Sequence, residues 1–195
     1  REDFFTQRIF KPLGMKDTYF NVPASKGSRL VNFFMGDSSG NIQKQSAVFG
    51  GALDMNYPLQ HTDYFSGGGG LSSTIYDYAI FLQMLLNGGE YNGVRLLAPG
   101  TVRMMTKNQI GDLTVNIGNS TGAKFGFGVA VVPENGYTAT PSQPGTYAWG
   151  GVFSTTYWVD PKQHLIGILY EQIWGPYVAQ TQKFFKALVY QAIVN

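Results

Sequence analysis

The residues best placed to do chemistry lie in the stretch GTYAWGGVFSTTYWVDP, Gly145 to Pro161, where Trp149-Gly150-Gly151 opens what reads as a strand. Glycines without side chains let a ligand backbone approach a strand, and a free N–H at its end can point at a developing oxyanion. A tryptophan plugging a core beside two flexible residues would give the same letters. Nucleophilic catalysis asks for more, namely a Ser, Thr or Cys beside a base and facing hydrogen-bond donors. The chain has no His-Glu-x-x-His and no Ser followed three residues later by Lys, and no Gly-x-Ser-x-Gly nucleophile elbow is expected. Thr121-Gly122-Ala123-Lys124 copies the spacing of a nucleophile and base but falls in a Gly-rich, loop-like region. SGGGGLSS lacks the Gly-Lys-Ser/Thr ending of a phosphate loop, so its glycines read first as tight backbone approach. His61 and His164 lie far apart without metal-ligand spacing, and no metal or cofactor is expected.

These residues belong to a chain of 195, long enough for one core. At 44% hydrophobic, 15% aromatic and only 13% charged, it is neither disordered nor fibrous, and its surface should be rich in neutral polar residues. A net charge of +2 gives no basic footprint for nucleic acid. No run approaches the ~18 apolar residues of a membrane helix, so no membrane span is expected. The absence of cysteine excludes disulfides and thiolate ligands. The start, REDFFTQRIFKPLGM, shows neither an initiating Met nor a targeting segment and reads as cut at its front.

The elements that must position the tryptophan triplet follow from periodicity. Phe4, Phe5, Ile9 and Phe10 predict a short helix that stops near Lys11, before Pro12. Residues 18–64 read as mostly irregular. Thr74 is a natural N-cap, with Asp77 three residues on, for a helix whose apolar stripe is Ile75, Tyr78, Ala79, Leu82, Leu85 and Leu86 and whose stop is Asn87-Gly88-Gly89. A further helix starts near Pro99 and ends near Lys107. KFGFGVAVV, TYAWGGVFSTTYWV and HLIGILYEQI read as strands of an antiparallel meander, with Asp160-Pro161-Lys162-Gln163 turning between the last two. Val178, Phe184, Leu188 and Ile193 mark a terminal helix covering one sheet face. The order gives an α+β class, a single partial domain over residues 1–195, with 1–110 mainly helix and loop and 111–195 strands and terminal helix.

In this order, FFTQRIFKPLGMKDTYF, the segment from Gly67 to Gln109 and YAWGGVFSTTYWVDPKQHLIGILYEQ resemble the C-terminal half of serine β-lactamase-like hydrolases, the group of class C β-lactamases, D-alanyl-D-alanine carboxypeptidases and family VIII esterases. Pro12-Leu13-Gly14-Met15 followed by Thr18, the glycine run leading into a helix, and the aromatic strand ending in Asp-Pro carry the likeness together. The resemblance implies the C-terminal part of that fold and an acyl-enzyme reaction on a small-molecule or peptide ester or amide. It places Trp149-Gly150-Gly151 where the family has a Lys-Thr-Gly, His-Thr-Gly or Trp-Gly-Gly triplet. The N–H of Val152 is then the oxyanion donor, with Gly151 beside it and Trp149, Gly150 and Phe153 lining the substrate. Lys124-Phe125-Gly126 has the commoner letters but stands on the preceding strand. A Trp in place of Lys or His removes a cation that would grip a carboxylate, which leans the resemblance toward esterases. The family's Ser-x-x-Lys is absent, and Tyr64-Phe65-Ser66 fits Tyr-x-Ser by letters only. The resemblance therefore implies a missing N-terminal half, no turnover by the isolated chain, self-association through its unpaired faces, and by family habit a bacterial envelope location. A non-catalytic binding module derived from the same fold is the alternative.

Overall fold

The computed structural model describes residues 2–117, 120–136 and 141–193. Arg1, Val194 and Asn195, which the expected domain and terminal segment include, lie outside the described residues. At the N-terminus α1 (Glu2–Phe5) passes through a π turn (Thr6–Phe10) into α2 (Lys11–Leu13). The helix does not stop before Pro12 as the sequence predicts. Lys11 stays helical and its N–H reaches back five residues to the Thr6 carbonyl, so the π turn shifts the bonding register where the proline ring would otherwise strike the preceding turn. The stop comes at Gly14, left-handed at φ 77°.

Four short strands follow, β1 (Phe33–Gly36), β2 (Ile42–Gln45), β3 (Ala47–Val48) and β4 (Leu53–Asp54), in a region the sequence reads as irregular. Then come α3 (Ile75–Leu86), the hairpin of β5 (Glu90–Tyr91) and β6 (Val94–Arg95), and α4 (Pro99–Met105). The rest holds β7 (Lys124–Phe125), β8 (Ala130–Val131), β9 (Tyr147–Gly150), β10 (Thr155–Asp160), β11 (Leu165–Tyr170), β12 (Ile173–Trp174) and α5 (Val178–Gln191). The expected antiparallel meander is present as β9-β10-β11 within a five-stranded sheet ordered β11-β10-β9-β8-β7. Two of the expected single strands are hairpins. KFGFGVAVV folds back at Gly126, whose missing side chain lets the turn press on the Met105 carbonyl at the end of α4. TYAWGGVFSTTYWV folds back after Gly151. A second sheet, β12-β1-β2, joins the two halves of the sequence, because β12 lies parallel to β1 with Phe34 opposite Ile173 and Met35 opposite Trp174.

Alternation along β10 splits the large sheet into two faces. Tyr147, Trp149, Tyr157, Val159, Ile166 and Ile168 face the main core, against Leu82 and Leu85 of α3 and Phe10, Leu13 and Met15 of the N-terminal segment. Met84, outside the predicted stripe, is buried too, whereas Ile75 at the start of α3 is exposed. Thr74 caps α3 by accepting the Asp77 N–H at 3.2 Å. Asp77 itself is buried, and its carboxylate accepts the N–H groups of Lys16 (3.2 Å) and Asp17 (2.7 Å) and the Thr18 hydroxyl (2.8 Å).

The opposite face carries Trp158, whose ring lies over Gly167, where a Cβ would overlap it. α5 covers this face, but with a different side from the one predicted. Phe185 meets Trp158 edge-on at 5.6 Å, Tyr190 donates to Asp160 at 2.7 Å and Lys186 lies over the Trp158 ring. Phe184 and Leu188, in the expected stripe, point to solvent at 59% and 63% exposure. The segment is helical, as its apolar spacing predicts; its inward side is set by the aromatic and polar partners of the sheet.

Two outcomes are expected. Asp77→Ala strands three donors at the junction of two segments and should lower the unfolding free energy by about 2–4 kcal/mol in urea titrations. Burial beside Trp158 pulls Lys186 down from 10.5 to about 8, partly opposed by Asp160. The unfolded chain then binds more protons between those two values, so stability should rise with pH across that window, the penalty being fully present below pH 8. Lys186→Met should raise the Tm at neutral pH and flatten this rise in thermal melts.

Candidate active site

The tryptophan triplet runs off the end of β9 into a tight tip. Gly151 N–H donates to Thr155 O at 2.8 Å and Ser154 N–H to Gly151 O at 3.1 Å, leaving Val152 and Phe153 at the apex. Both glycines have a packing reason. A Cβ on Gly150 would lie 2.9 Å from the Thr155 carbonyl, and one on Gly151 would overlap Thr155 Oγ1. The absence of side chains thus closes the hairpin, and it also leaves Gly150 and Gly151 exposed to anything approaching the strand end. Trp149 is half-buried on the core face, edge-on to Phe125 at 5.0 Å. The core-plug reading of its ring therefore holds for one of its sides.

Val152 is exposed at 62%, and among the described residues its N–H has no acceptor. The tip that carries it is held rigidly by Ser154. This residue is buried, adopts φ 78°, donates its hydroxyl to the Ile173 carbonyl of β12 and accepts Gln182 of α5 on its own carbonyl at 3.1 Å. Phe153 anchors the other flank. Its carbonyl accepts the Ile173 N–H at 3.2 Å, and its ring packs 4.6 Å from buried Phe33 and 6.5 Å from Phe49. Phe49 in turn meets Trp174 at 5.5 Å. Sequence reasoning missed Phe33, Phe49, Ser154 and Trp174, because the pairing of residues 34 and 173 leaves no periodic trace.

Behind Gly151 on the core face, Thr155 pairs with Tyr170, and Tyr78 of α3 packs on Tyr157 at 5.2 Å and Tyr170 at 5.9 Å. Burial pushes all three phenols above their ordinary range, so they remain neutral at neutral pH. The decoys resolve physically. Lys124 opens a strand and donates to the Gly111 and Leu113 carbonyls at 2.9 and 3.0 Å. Gly36-Asp37-Ser38-Ser39-Gly40 does fit Gly-x-Ser-x-Gly, contrary to expectation. It forms the β1-β2 hairpin turn, with Asp37 accepting the N–H groups of Ser39 and Asn41 (2.8 and 2.9 Å), not a strand-to-helix elbow. In the glycine run, Gly70 is the crowded position, where a Cβ would lie 2.7 Å from the Ser66 carbonyl. His61 is exposed beside Asp63, and His164 sits exposed in a turn at φ 50°. Among the described residues no group of His, Cys, Asp or Glu could hold a metal, and no helix is long and apolar enough to cross a membrane.

Comparison with known proteins bears on the family and the fold. The sequence profile of the family described as Beta-lactamase matches residues 1–191. Protein Rv1367c of Mycobacterium tuberculosis is 31% identical over 170 residues, which cover 82% of this chain and 40% of that protein. Among solved structures, simvastatin synthase (LovD) from Aspergillus terreus superposes with a TM-score of 0.81 at 20% identity, over 100% of this chain and 51% of that one. EstCE1, a hydrolase with promiscuous acyltransferase activity, gives 0.71 at 23% identity, over 88% of this chain and 45% of the other. At such identities these structures show the shared α+β fold, and the chain spans 40% of the length of the curated relative and about half of each of these two structures.

The tip geometry makes a coupling testable. Gly151→Ala should cost about 1–3 kcal/mol by crowding Thr155 Oγ1, and the same substitution made with Thr155→Ala should recover most of that loss. A double-mutant cycle by thermal or urea unfolding reads the coupling directly.

Proposed function

Because the chain belongs to the beta-lactamase family, we propose that it forms one wall of a serine acyl-transfer site that opens an ester or amide through an acyl-enzyme. The single observation carrying this reading is the Val152 N–H, held without an acceptor among the described residues on a tip braced by Ser154. In this reading a serine attacks the substrate carbonyl, the carbonyl oxygen becomes an oxyanion, and the Val152 N–H is one of the donors that stabilise it. The leaving alcohol or amine departs with a proton, and water attacks the acyl-enzyme to release the acid. Ser-x-x-Lys is absent from these 195 residues, so nucleophile and base would come from chain outside them. Gly150 and Gly151 admit the substrate along the strand end, and Trp149 and Phe153 bound it on the core and small-sheet sides.

The single partial domain implied by this arrangement leaves two surfaces for further chain or a second copy. One is the outward stripe of Phe184 and Leu188 on α5, and the other is β11, one of the two outer strands of the large sheet. An unpaired strand edge beside an apolar helix face favours association.

The test separates wall from machine. The 195-residue chain alone is expected to give no saturable hydrolysis of a chromogenic ester. In the encoded protein that carries it, Val152→Pro removes the N–H and should lower kcat by about 10²–10³-fold with KM little changed, while Val152→Ala stays close to wild type. An amide-to-ester replacement at the same bond removes only the N–H, and serves where proline distorts the tip. Undiminished kcat after the N–H is removed would place the donor elsewhere. Saturable ligand binding without turnover by the encoded protein would favour a non-catalytic binding module.

A further inference from the structure

Phe49 occupies a place where the backbone argues for glycine. Phe49, Gly50 and Gly51 turn between β3 and β4 with successive φ values of 54°, 68° and 90°. The turn is closed by Gly51 N–H to Val48 O at 3.1 Å and Ala52 N–H to Phe49 O at 3.3 Å. A bulky side chain in the left-handed region is a real outlier, of the kind that persists where the surroundings hold it for a purpose. Burial is not that purpose, since Phe49 is 53% exposed. Instead the turn carries its ring to Phe153, one residue past the Val152 N–H, and to Trp174, itself 41% exposed.

The recess beside Trp174 is lined by apolar, uncharged residues. Phe33 fixes Phe153 from below at 4.6 Å. Trp174 lines an open recess of about 320 Å³ with Met35, Gly36, Gly175 and Pro176, none of which ionises. Lys44, the cation of β2, pairs with Phe34, whereas Trp174 pairs with Met35. Alternation therefore turns Lys44 to the other face of the small sheet.

We infer that Phe49 and Trp174, packed on each other, form one aromatic platform beside the Val152 tip that selects substrates with an uncharged apolar acyl or aryl group and disfavours carboxylate-bearing ones. The platform as a determinant of specificity rests on the proposed acyl-transfer reading; the binding site itself does not require turnover. A flat apolar group lies against the exposed faces of the joined rings by area and ring geometry, and a carboxylate placed there would lose its water without gaining a cation.

The test uses the encoded protein that carries this chain and 1-butoxynaphthalene, which offers no ester to hydrolyse, as the probe, followed by tryptophan emission and by equilibrium dialysis. Saturable binding is expected, weakened about tenfold by Phe49→Ala, with Trp174→Phe keeping the affinity and losing most of the emission change. Phe49→Gly should weaken binding equally while its Tm stays level or rises, because glycine relieves the left-handed backbone; a merely structural Phe49 would lower the Tm and leave affinity unchanged. A naphthyl ether carrying a carboxylate at the end of its alkyl chain should bind about tenfold less tightly. No saturable binding, equal affinity of the charged probe, or undiminished binding by both Phe49 variants overturns the inference. Expected binding together with undiminished turnover after removal of the Val152 N–H would leave the aromatic platform standing and the acyl-transfer reading refuted.

Discussion

The buried carboxylate of Asp77 is the contact from which the rest of the site takes its position. It draws in two backbone N–H groups and one hydroxyl of the segment Lys16–Thr18, and so sets the N-terminal helix against the first turn of α3. Its own N–H is held by the Thr74 cap, so the same residue defines where α3 starts and what it leans on. From there the helix can place Tyr78 on Tyr157 and Tyr170, and Leu82 and Leu85 in the core that backs β9 and β10. An apolar side chain of similar size would fill the space without gathering the donors, which would then be buried without partners.

This contact also shows which parts of the fold the sequence made legible. Thr74 and Asp77 were readable as a cap because capping is local, with donor and acceptor three residues apart. The second role of Asp77 spans about sixty residues and has no spacing to betray it. The same division runs through the sheet. The strands were found from β-branched and aromatic residues, but Gly126 and Gly151 divide two of them for reasons seated elsewhere: the end of α4 for one and the Thr155 side chain for the other. On α5 the helical period was visible while its inward face was not, since Tyr190, Lys186 and Phe185 are chosen by Asp160 and Trp158.

The triplet itself illustrates how a packing explanation and a functional one can share residues. Gly150 and Gly151 are required by Thr155, and Trp149 is gripped by Phe125. None of this removes a chemical role. It supplies the rigidity that such a role demands, because an N–H that stabilises an oxyanion is effective only if it is already aimed when charge develops. Ser154 matters here more than the triplet. By tying the tip to β12 and α5 at once, it makes the direction of the Val152 N–H a property of two sheets and a helix instead of one loop.

Charge gives the last step. In the proposed site the first triplet position would hold an indole half-sunk in the core, where a Lys would offer a cation beside the reacting carbonyl. The surfaces that flank the tip, Phe49, Phe153 and Trp174 on one side and three neutral phenols on the other, add no positive charge in its place. Stabilisation of a developing oxyanion would then fall to backbone dipoles, which attract negative charge only where it forms and not along the whole substrate. A site of that kind discriminates poorly for anionic groups remote from the reacting carbonyl and well for the shape and polarity of what lies against its walls. Under the proposed acyl-transfer reading, the aromatic walls and the absence of a cation would favour a neutral ester or amide held by its apolar part while the tip N–H meets the charge that its opening creates.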